Sequence, residues 1–218
     1  MSQPLVILGG EGTGVIIAEA VRAAREFSPY VILGFLNDFA PQGARFVGHP
    51  VLGPFDRWRE CPPNAKFISA FPKAKESAVR LQRLAALGIP DDRCATVIHP
   101  AAVIAEGVEL GTGSFVGACA VIEPGVIGGR HICVRGGSYI SHDVRLGEFA
   151  FIGPNATIMG RCSVGEGAHI SANAVCREEI TIGRHAVVGI GAVVVANVPD
   201  RIVLAGNPAR IISHMEPR

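Results

Sequence analysis

A six-residue period constrains this sequence more than any other feature. Stepping by six from Ile98 to Val194 meets an apolar residue sixteen times out of seventeen, Gly128 being the exception, and the register never slips. In a chain that is 49% hydrophobic, such a run arises by chance with a probability of roughly 10⁻⁴. The positions two residues earlier, from Thr96 and Ala102 through to Ala192, are all small or β-branched. Strand side chains alternate faces, so both positions can point inward. Glycine often follows the aliphatic residue, as at Gly111, Gly147 and Gly183, where a corner asks for unusual backbone angles. Three six-residue sides close one coil of about eighteen residues, and stacked coils bury a continuous aliphatic ladder. A helix would need a 3.6-residue period, which this segment lacks. Residues 93–198 are therefore expected to form a parallel β-helix, with 199–218 as a tail packed on it.

Residues 1–92 follow other rules. Leu5-Val6-Ile7-Leu8 is a short apolar run leading into Gly9-Gly10-Glu11-Gly12-Thr13-Gly14. Val15 to Phe27 then reads as a helix, with Ile16, Ile17, Ala20, Val21 and Ala24 on one stripe. Val31–Leu36 is a second strand closing at Asn37-Asp38, and a Pro/Gly-rich connection follows through Pro54. Phe67–Phe71 is a third strand and Lys73–Leu87 a second helix ending at Gly88. This order predicts a small α/β domain with a Rossmann-like parallel sheet.

Composition excludes more than it assigns. The net charge is +1 with both signs interspersed, which leaves no footprint for nucleic acid or a membrane surface. No apolar stretch approaches ~18 residues, so no membrane span is expected, and Met1-Ser2-Gln3-Pro4 does not read as a signal peptide. The six cysteines include no C-x-x-C pair and read as free thiols of a cytoplasmic protein. Cys162 and Cys176 fall on inward positions and read as small core residues.

Both halves together resemble one family. A strand, a Gly-rich loop and a helix start are followed by Phe35-Leu36-Asn37-Asp38. Val97-Ile98-His99-Pro100 opens the repeats, Tyr139-Ile140-Ser141-His142-Asp143 lies within them, and Gly206-Asn207-Pro208-Ala209-Arg210 closes them. This pattern is similar to bacterial sugar-nucleotide N-acetyltransferases of the bacillosamine and perosamine pathways, with the related sialic acid O-acetyltransferases. The resemblance implies that the β-helix is left-handed. It also implies a homotrimer with active sites between subunits, acetyl-CoA as cosubstrate, no metal, and a nucleotide-linked amino sugar held by the N-terminal domain, of the GDP-perosamine or UDP-bacillosamine-precursor type. The product would enter glycan biosynthesis.

The resemblance assigns roles residue by residue. His142, followed by Asp143, matches the family's general base. An acceptor amine must lose a proton as it attacks a thioester, and imidazoles titrate near working pH. Asp143 would orient the ring. Gly160 lies eighteen residues after His142 and so should stack one coil above it, leaving room for the thioester and offering an amide to its carbonyl oxygen. Gly189, Ile190 and Gly191 match the family's coenzyme-contacting stretch. Gly10, Gly12, Thr13 and Gly14 match its nucleotide loop, where N–H groups before a helix suit a pyrophosphate, and Asn37 and Asp38 match residues facing the nucleoside.

The chain also departs from the family. Relatives often carry a second His nine residues after the first, near the acetyl group, where this chain has Phe151. His169 falls one coil above Phe151. Relatives have His in place of Thr13 and Asp in place of Asn37. An O-acetyltransferase of a sialic-acid-like sugar stays open as an alternative. A γ-carbonic-anhydrase-type zinc site would need a His pair five residues apart, and this repeat region has none. A dehydrogenase is disfavoured because the loop breaks the G-x-G-x-x-G pattern. A non-catalytic scaffold would leave His142 without a role.

Overall fold

The computed structural model describes residues 2–70 and 77–215. It begins with β1 (Gln3–Leu8), α1 (Thr13–Ala24) and β2 (Tyr30–Leu36). A hairpin of β3 (Arg45–Phe46) and β4 (His49–Gly53) follows, then β5 (Lys66–Ser69) and α2 (Ser77–Leu87). The five strands lie in the order β3-β4-β2-β1-β5. Every pairing is parallel except β3 with β4, so the expected parallel sheet is in fact mixed. Val47 and Gly48 both adopt positive φ, 41° and 85°, which turns the chain in two residues and matches the twist of a hairpin. That turn lies in what reads in the sequence as an irregular connection. The C-terminal end of the expected third strand, Phe71, and the expected start of the second helix, from Lys73, lie outside the described residues.

Apolar alternation decides which face of the sheet each layer covers. Leu5, Ile7 and Phe35 pack against Ile17 and Val21 of α1, while Val6, Leu8 and Phe67 pack against Trp58 and Leu84 on the other face. The helix stripe is centred on Ile17 and Val21; Ile16, expected on it, is 37% exposed.

From β6 (Val97–Ile98) to β22 (Val193–Val194) each hexad forms one two-residue strand and one corner, seventeen strands in all. From β6 to β19 each strand pairs in parallel with the strand eighteen residues later, for example Tyr139↔Thr157 and Ile140↔Ile158. Three faces result, which we call first, second and third from their opening strands β6, β7 (Val103–Ile104) and β8 (Glu109–Leu110). The second residue of each strand points inward, and Val134, Ile140, Ile152 and Ile158 are fully buried. Gly128, the gap in the apolar ladder, is filled by a neighbour: a Cβ there would lie 2.7 Å from Ile132 Cδ1. Ile98 in the opening coil is 43% exposed, since no coil lies beneath it. At the far end β23 (Ile202–Ala205) extends the first face, and β24 (Arg210–His214) pairs with it antiparallel. Ile202 and Leu204 thereby join the core.

The two parts share a core. Ala95, Val97 and Phe115 of the first face pack in one cluster with Ile17 and Val21. Arg130, on a corner, pairs with Asp91 and with Glu148 at 2.9 Å each. The α/β layer therefore rests on the first face, and the second and third are left to solvent or to other molecules.

Candidate active site

His142 lies at the corner between the second and third faces, directly after β13 (Tyr139–Ile140). Asp143 makes the turn with φ of 59°, a left-handed conformation that Asp tolerates better than most residues. The turn sends the imidazole outward, where it is 48% exposed, and Nδ1 lies 3.0 Å from Asp143 Oδ2. A carboxylate only accepts hydrogen bonds, so Nδ1 is the protonated nitrogen of the pair, and in the neutral ring the lone pair is left on Nε2.

Gly160 is stacked on this ring. A Cβ at Gly160 would lie 2.7, 2.9 and 3.2 Å from Nε2, Cε1 and Cδ2 of His142. Its φ lies outside the left-handed region, whereas the next residue, Arg161, has φ of 60°. Glycine is required here by the ring beside it and not by the turn. The space that the sequence reading gave to a thioester is taken by the imidazole itself. The Gly160 N–H, next to the ring, donates to no group among the described residues, while Arg161 N donates to His142 O at 3.0 Å.

A residue that the sequence reading missed holds this corner. Glu123, one coil below Ser141, accepts hydrogen bonds from Tyr139 Oη, from Ser141 Oγ at 2.7 Å and from the backbone N of His142 at 3.0 Å. Hydrogen bonds from Tyr139, then from Ser141, hold the Glu123 carboxyl below its usual range, and Glu123 in turn raises the Tyr139 hydroxyl. The period carried the signal, because 123 and 141 differ by one coil.

Phe151 and His169 stack on the outside of the first face, with ring centroids 4.3 Å apart and planes at 16°. They are paired in register, one coil apart. Burial pushes the His169 imidazole down to about 4, so it is neutral at working pH. Gly189, Ile190 and Gly191 lie at the corner between the first and second faces, three coils beyond Gly137, or about 14 Å along the axis at the usual strand spacing. Ile190 is 77% exposed, Gly191 has φ of 65° with open space beside it, and a Cβ at Gly189 would press on Ala205 at 2.9 Å. This stretch and His142 therefore lie on different corners of one chain.

The glycines of the N-terminal loop serve distinct purposes. A Cβ at Gly10 would meet Asn37 Nδ2 at 2.6 Å, Gly12 has φ of 77° at the start of α1, and a Cβ at Gly14 would lie 3.4 Å from the Phe35 ring, so helix and sheet approach closely there. Thr13 is 5% exposed, and its Oγ1 accepts a hydrogen bond from Arg135 Nη1 at 3.2 Å. Asn37 turns back on the loop: Nδ2 donates to Gly9 O, and Oδ1 accepts from the N–H groups of Phe39 and Ala40. Asp38 accepts from Phe55 N at 2.7 Å and pairs with Arg83. Both side chains thus make their hydrogen bonds within the protein and shape the loop.

Several of the remaining sulfur and imidazole groups are built into the fold. Cys162 and Cys176 are fully buried in the solenoid core, and burial raises both thiols, Cys176 to about 12. Cys133, partly buried against the cluster that includes α1, is also raised to about 12. His99 Nδ1 accepts from Ala101 N at 3.0 Å. His131 stacks on Phe149 with its Nδ1 buried and without a partner among the described residues. Among the described residues no group of three metal-binding side chains converges, and no helix is long and apolar enough to cross a membrane.

Comparison with known proteins places this geometry. Residues 143–178 match the family model described as bacterial transferase hexapeptide (six repeats). The fold superposes on the acetyltransferase domain of PglB from Neisseria gonorrhoeae in complex with acetyl coenzyme A, with a TM-score of 0.85 and 30% identity over 97% of this chain and 100% of that one. It also superposes on PerB from Caulobacter crescentus in complex with CoA and GDP-perosamine, with a TM-score of 0.83 and 29% identity over 96% and 97%. For WeeI from Acinetobacter baumannii the TM-score is 0.75, with 26% identity over 95% and 99%. A curated relative, serine acetyltransferase 2 of Arabidopsis thaliana, is 37% identical over 123 residues; the match spans only 32% of that protein's length.

Proposed function

Because the chain belongs to the hexapeptide-repeat sugar N-acetyltransferases, we propose that it transfers acetyl from acetyl-CoA to the 4-amino group of a nucleotide-linked 4-amino-4,6-dideoxyhexose, of the GDP-perosamine or UDP-bacillosamine-precursor type. The stack of Gly160 on His142 carries this reading. It sets a proton acceptor and a free backbone N–H side by side, which is what aminolysis of a thioester needs.

Acetyl-CoA supplies the acetyl thioester. His142 Nε2 takes the proton that the amine sheds as its nitrogen bonds to the carbonyl carbon. Asp143 holds Nδ1–H and stabilises the imidazolium that forms. Gly160 N–H donates to the carbonyl oxygen as negative charge gathers there. His142 then returns its proton to the departing sulfur, leaving an amide and a free thiol. A positioned base of this kind is worth roughly 10²–10⁴ in rate. The exposed Ile190 and the open side of Gly191 support a coenzyme shelf along the solenoid.

A homotrimer with sites between subunits belongs to the same proposal. The Gly-rich loop meets the solenoid at Arg135, one corner before His142, and Gly189–Gly191 lie on that earlier corner, so base, loop and shelf do not converge within one chain. A cytoplasmic location fits the six free thiols. The direct test is thiol release from acetyl-CoA with UDP-, GDP- and dTDP-linked 4-amino-4,6-dideoxyhexoses, alongside a sialic-acid-type hydroxyl acceptor. Turnover with an amino sugar and none with the hydroxyl acceptor is expected; the reverse would refute the assignment.

A further inference from the structure

Asp143, Arg161 and Glu179 stand one coil apart at the same place on one corner, each with a left-handed backbone (φ of 59°, 60° and 61°). A carboxylate, a guanidinium and a second carboxylate are thus stacked about 4.8 Å apart. An arginine reaches a carboxylate over that spacing on this solenoid, since Arg130 pairs with Glu148, one coil later, at 2.9 Å. Arg161 makes such a pair in one direction only: its Nε and Nη2 lie 2.9 and 2.7 Å from Glu179 Oε1. Asp143 leans the other way. A Cβ at Gly125, one coil below, would collide with its Oδ1. That oxygen accepts nothing among the described residues, while Oδ2 faces His142 Nδ1 at 3.0 Å.

Opposite charges that neighbour in a column and yet turn apart call for a physical reason. A guanidinium is always charged and presents a fork of donors, so it is a stronger partner for a carboxylate than a neutral imidazole N–H. Without Glu179, Arg161 would compete with His142 for Asp143. We propose that Glu179 is a positioning residue for the reaction: it holds the Arg161 guanidinium one coil up and so keeps Asp143 for the Nδ1–H of His142. The inference rests on the reading of His142 as the base, and Glu179 acts from two coils above the carboxylate it protects. The other charged groups around this corner are the same in every variant that follows. Glu123 is engaged by Tyr139, Ser141 and the His142 backbone, and Arg145, Arg177 and Glu178 form no ion pair among the described residues.

Steady-state rates of the full chain with acetyl-CoA and the UDP-, GDP- and dTDP-linked 4-amino sugars test it in Glu179→Ala, Arg161→Met and the double variant. A pair this exposed, 57% for Arg161 and 61% for Glu179, steers the guanidinium by about fivefold at most. The kcat of Glu179→Ala should therefore fall roughly two- to fivefold, with acetyl-CoA affinity unchanged, and the gap should close as ionic strength rises. Arg161→Met removes the competitor and should match wild type. The double variant should match it too, a rescue that a merely structural pair would not give. A crystal structure of Glu179→Ala should show Arg161 on Asp143. Wild-type kcat in Glu179→Ala, a slow Arg161→Met or a slow double variant would overturn the assignment, as would an Arg161 that stays clear of Asp143. His142→Ala, measured beside them, separates this from the reading beneath it. If His142→Ala keeps wild-type turnover, or wild type acetylates none of the sugars, the base falls and the role of Glu179 with it. A slow His142→Ala beside an unimpaired Glu179→Ala would remove the role of Glu179 alone.

Discussion

Gly160 lies against the imidazole of His142 so closely that even a methyl group on it would stand 2.7 Å from Nε2. Its backbone is not left-handed, so alanine can adopt it without strain. Gly160→Ala should therefore leave the solenoid folded and push the ring aside. A shift of about 1 Å at a reacting group can cost 10²-fold, and a drop in kcat of that order is expected. Melting curves and steady-state kinetics measured together would check it; a variant with wild-type kcat would show that the ring does not need its observed position.

Glu123 acts on the reaction through His142. Glu123→Gln keeps the shape but faces three donors with one acceptor oxygen and an amide NH₂. We expect kcat to fall roughly tenfold, with acetyl-CoA affinity retained, since the residue positions the corner without touching the coenzyme stretch. The carboxyl is held below its ordinary value of 4.5, so it stabilises the folded corner above that pH, and the effect fades as pH falls further. The advantage of wild type over Glu123→Gln should thus narrow as pH falls below 4.5, because only wild type has this carboxylate to lose. Identical acid limbs for the two proteins would contradict the positioning role.

Stability should fall with acid in a second, separate window. The folded protein holds His169 at about 4 against 6.5 for an open imidazole. The unfolded chain therefore takes up a proton first, and stability present above pH 6.5 is lost as pH drops towards 4. The shift corresponds to about 3 kcal/mol at most. His131 and His185, also pushed down by burial, act with the same sign. His169→Phe, which keeps the stack on Phe151, should flatten this slope in urea titrations at pH 7 and pH 5. An unchanged slope would mean that the stack is solvated.

Thiol reactivity should follow position on the solenoid. Cys119 is exposed on a corner, whereas Cys162 and Cys176 are buried and Cys133 is partly buried against α1, all three with raised thiols. The thiolate is the reactive form, so a native sample should lose Cys119 to an aromatic disulfide reagent quickly and those three only on unfolding. Rapid labelling of Cys162 or Cys176 would contradict the inward assignment of the six-residue ladder.

That ladder was legible because periodicity is local information. It gave the core positions, the coil length and the stacking of Gly160 on His142 without any contact being known. The same rule would have found Glu123 under Ser141, one coil earlier. What could not be read joins parts of the chain with no common period. Arg135 meets Thr13 across 122 positions, and Asp38 is engaged by Arg83 across 45. The β3–β4 hairpin hid in a Pro/Gly-rich stretch because its two short strands show no alternation to speak of. Gly128 looked like a defect in the ladder, but its neighbour Ile132 fills the space.

The most direct measurement is the rate of acetyl transfer by His142→Asn and His142→Ala with a nucleotide-linked 4-amino sugar, beside calorimetric binding of acetyl-CoA. The account predicts that kcat falls by roughly 10²–10⁴ while the coenzyme still binds and the melting temperature holds. Turnover within a fewfold of wild type in both variants would show that this imidazole does not take the amine's proton.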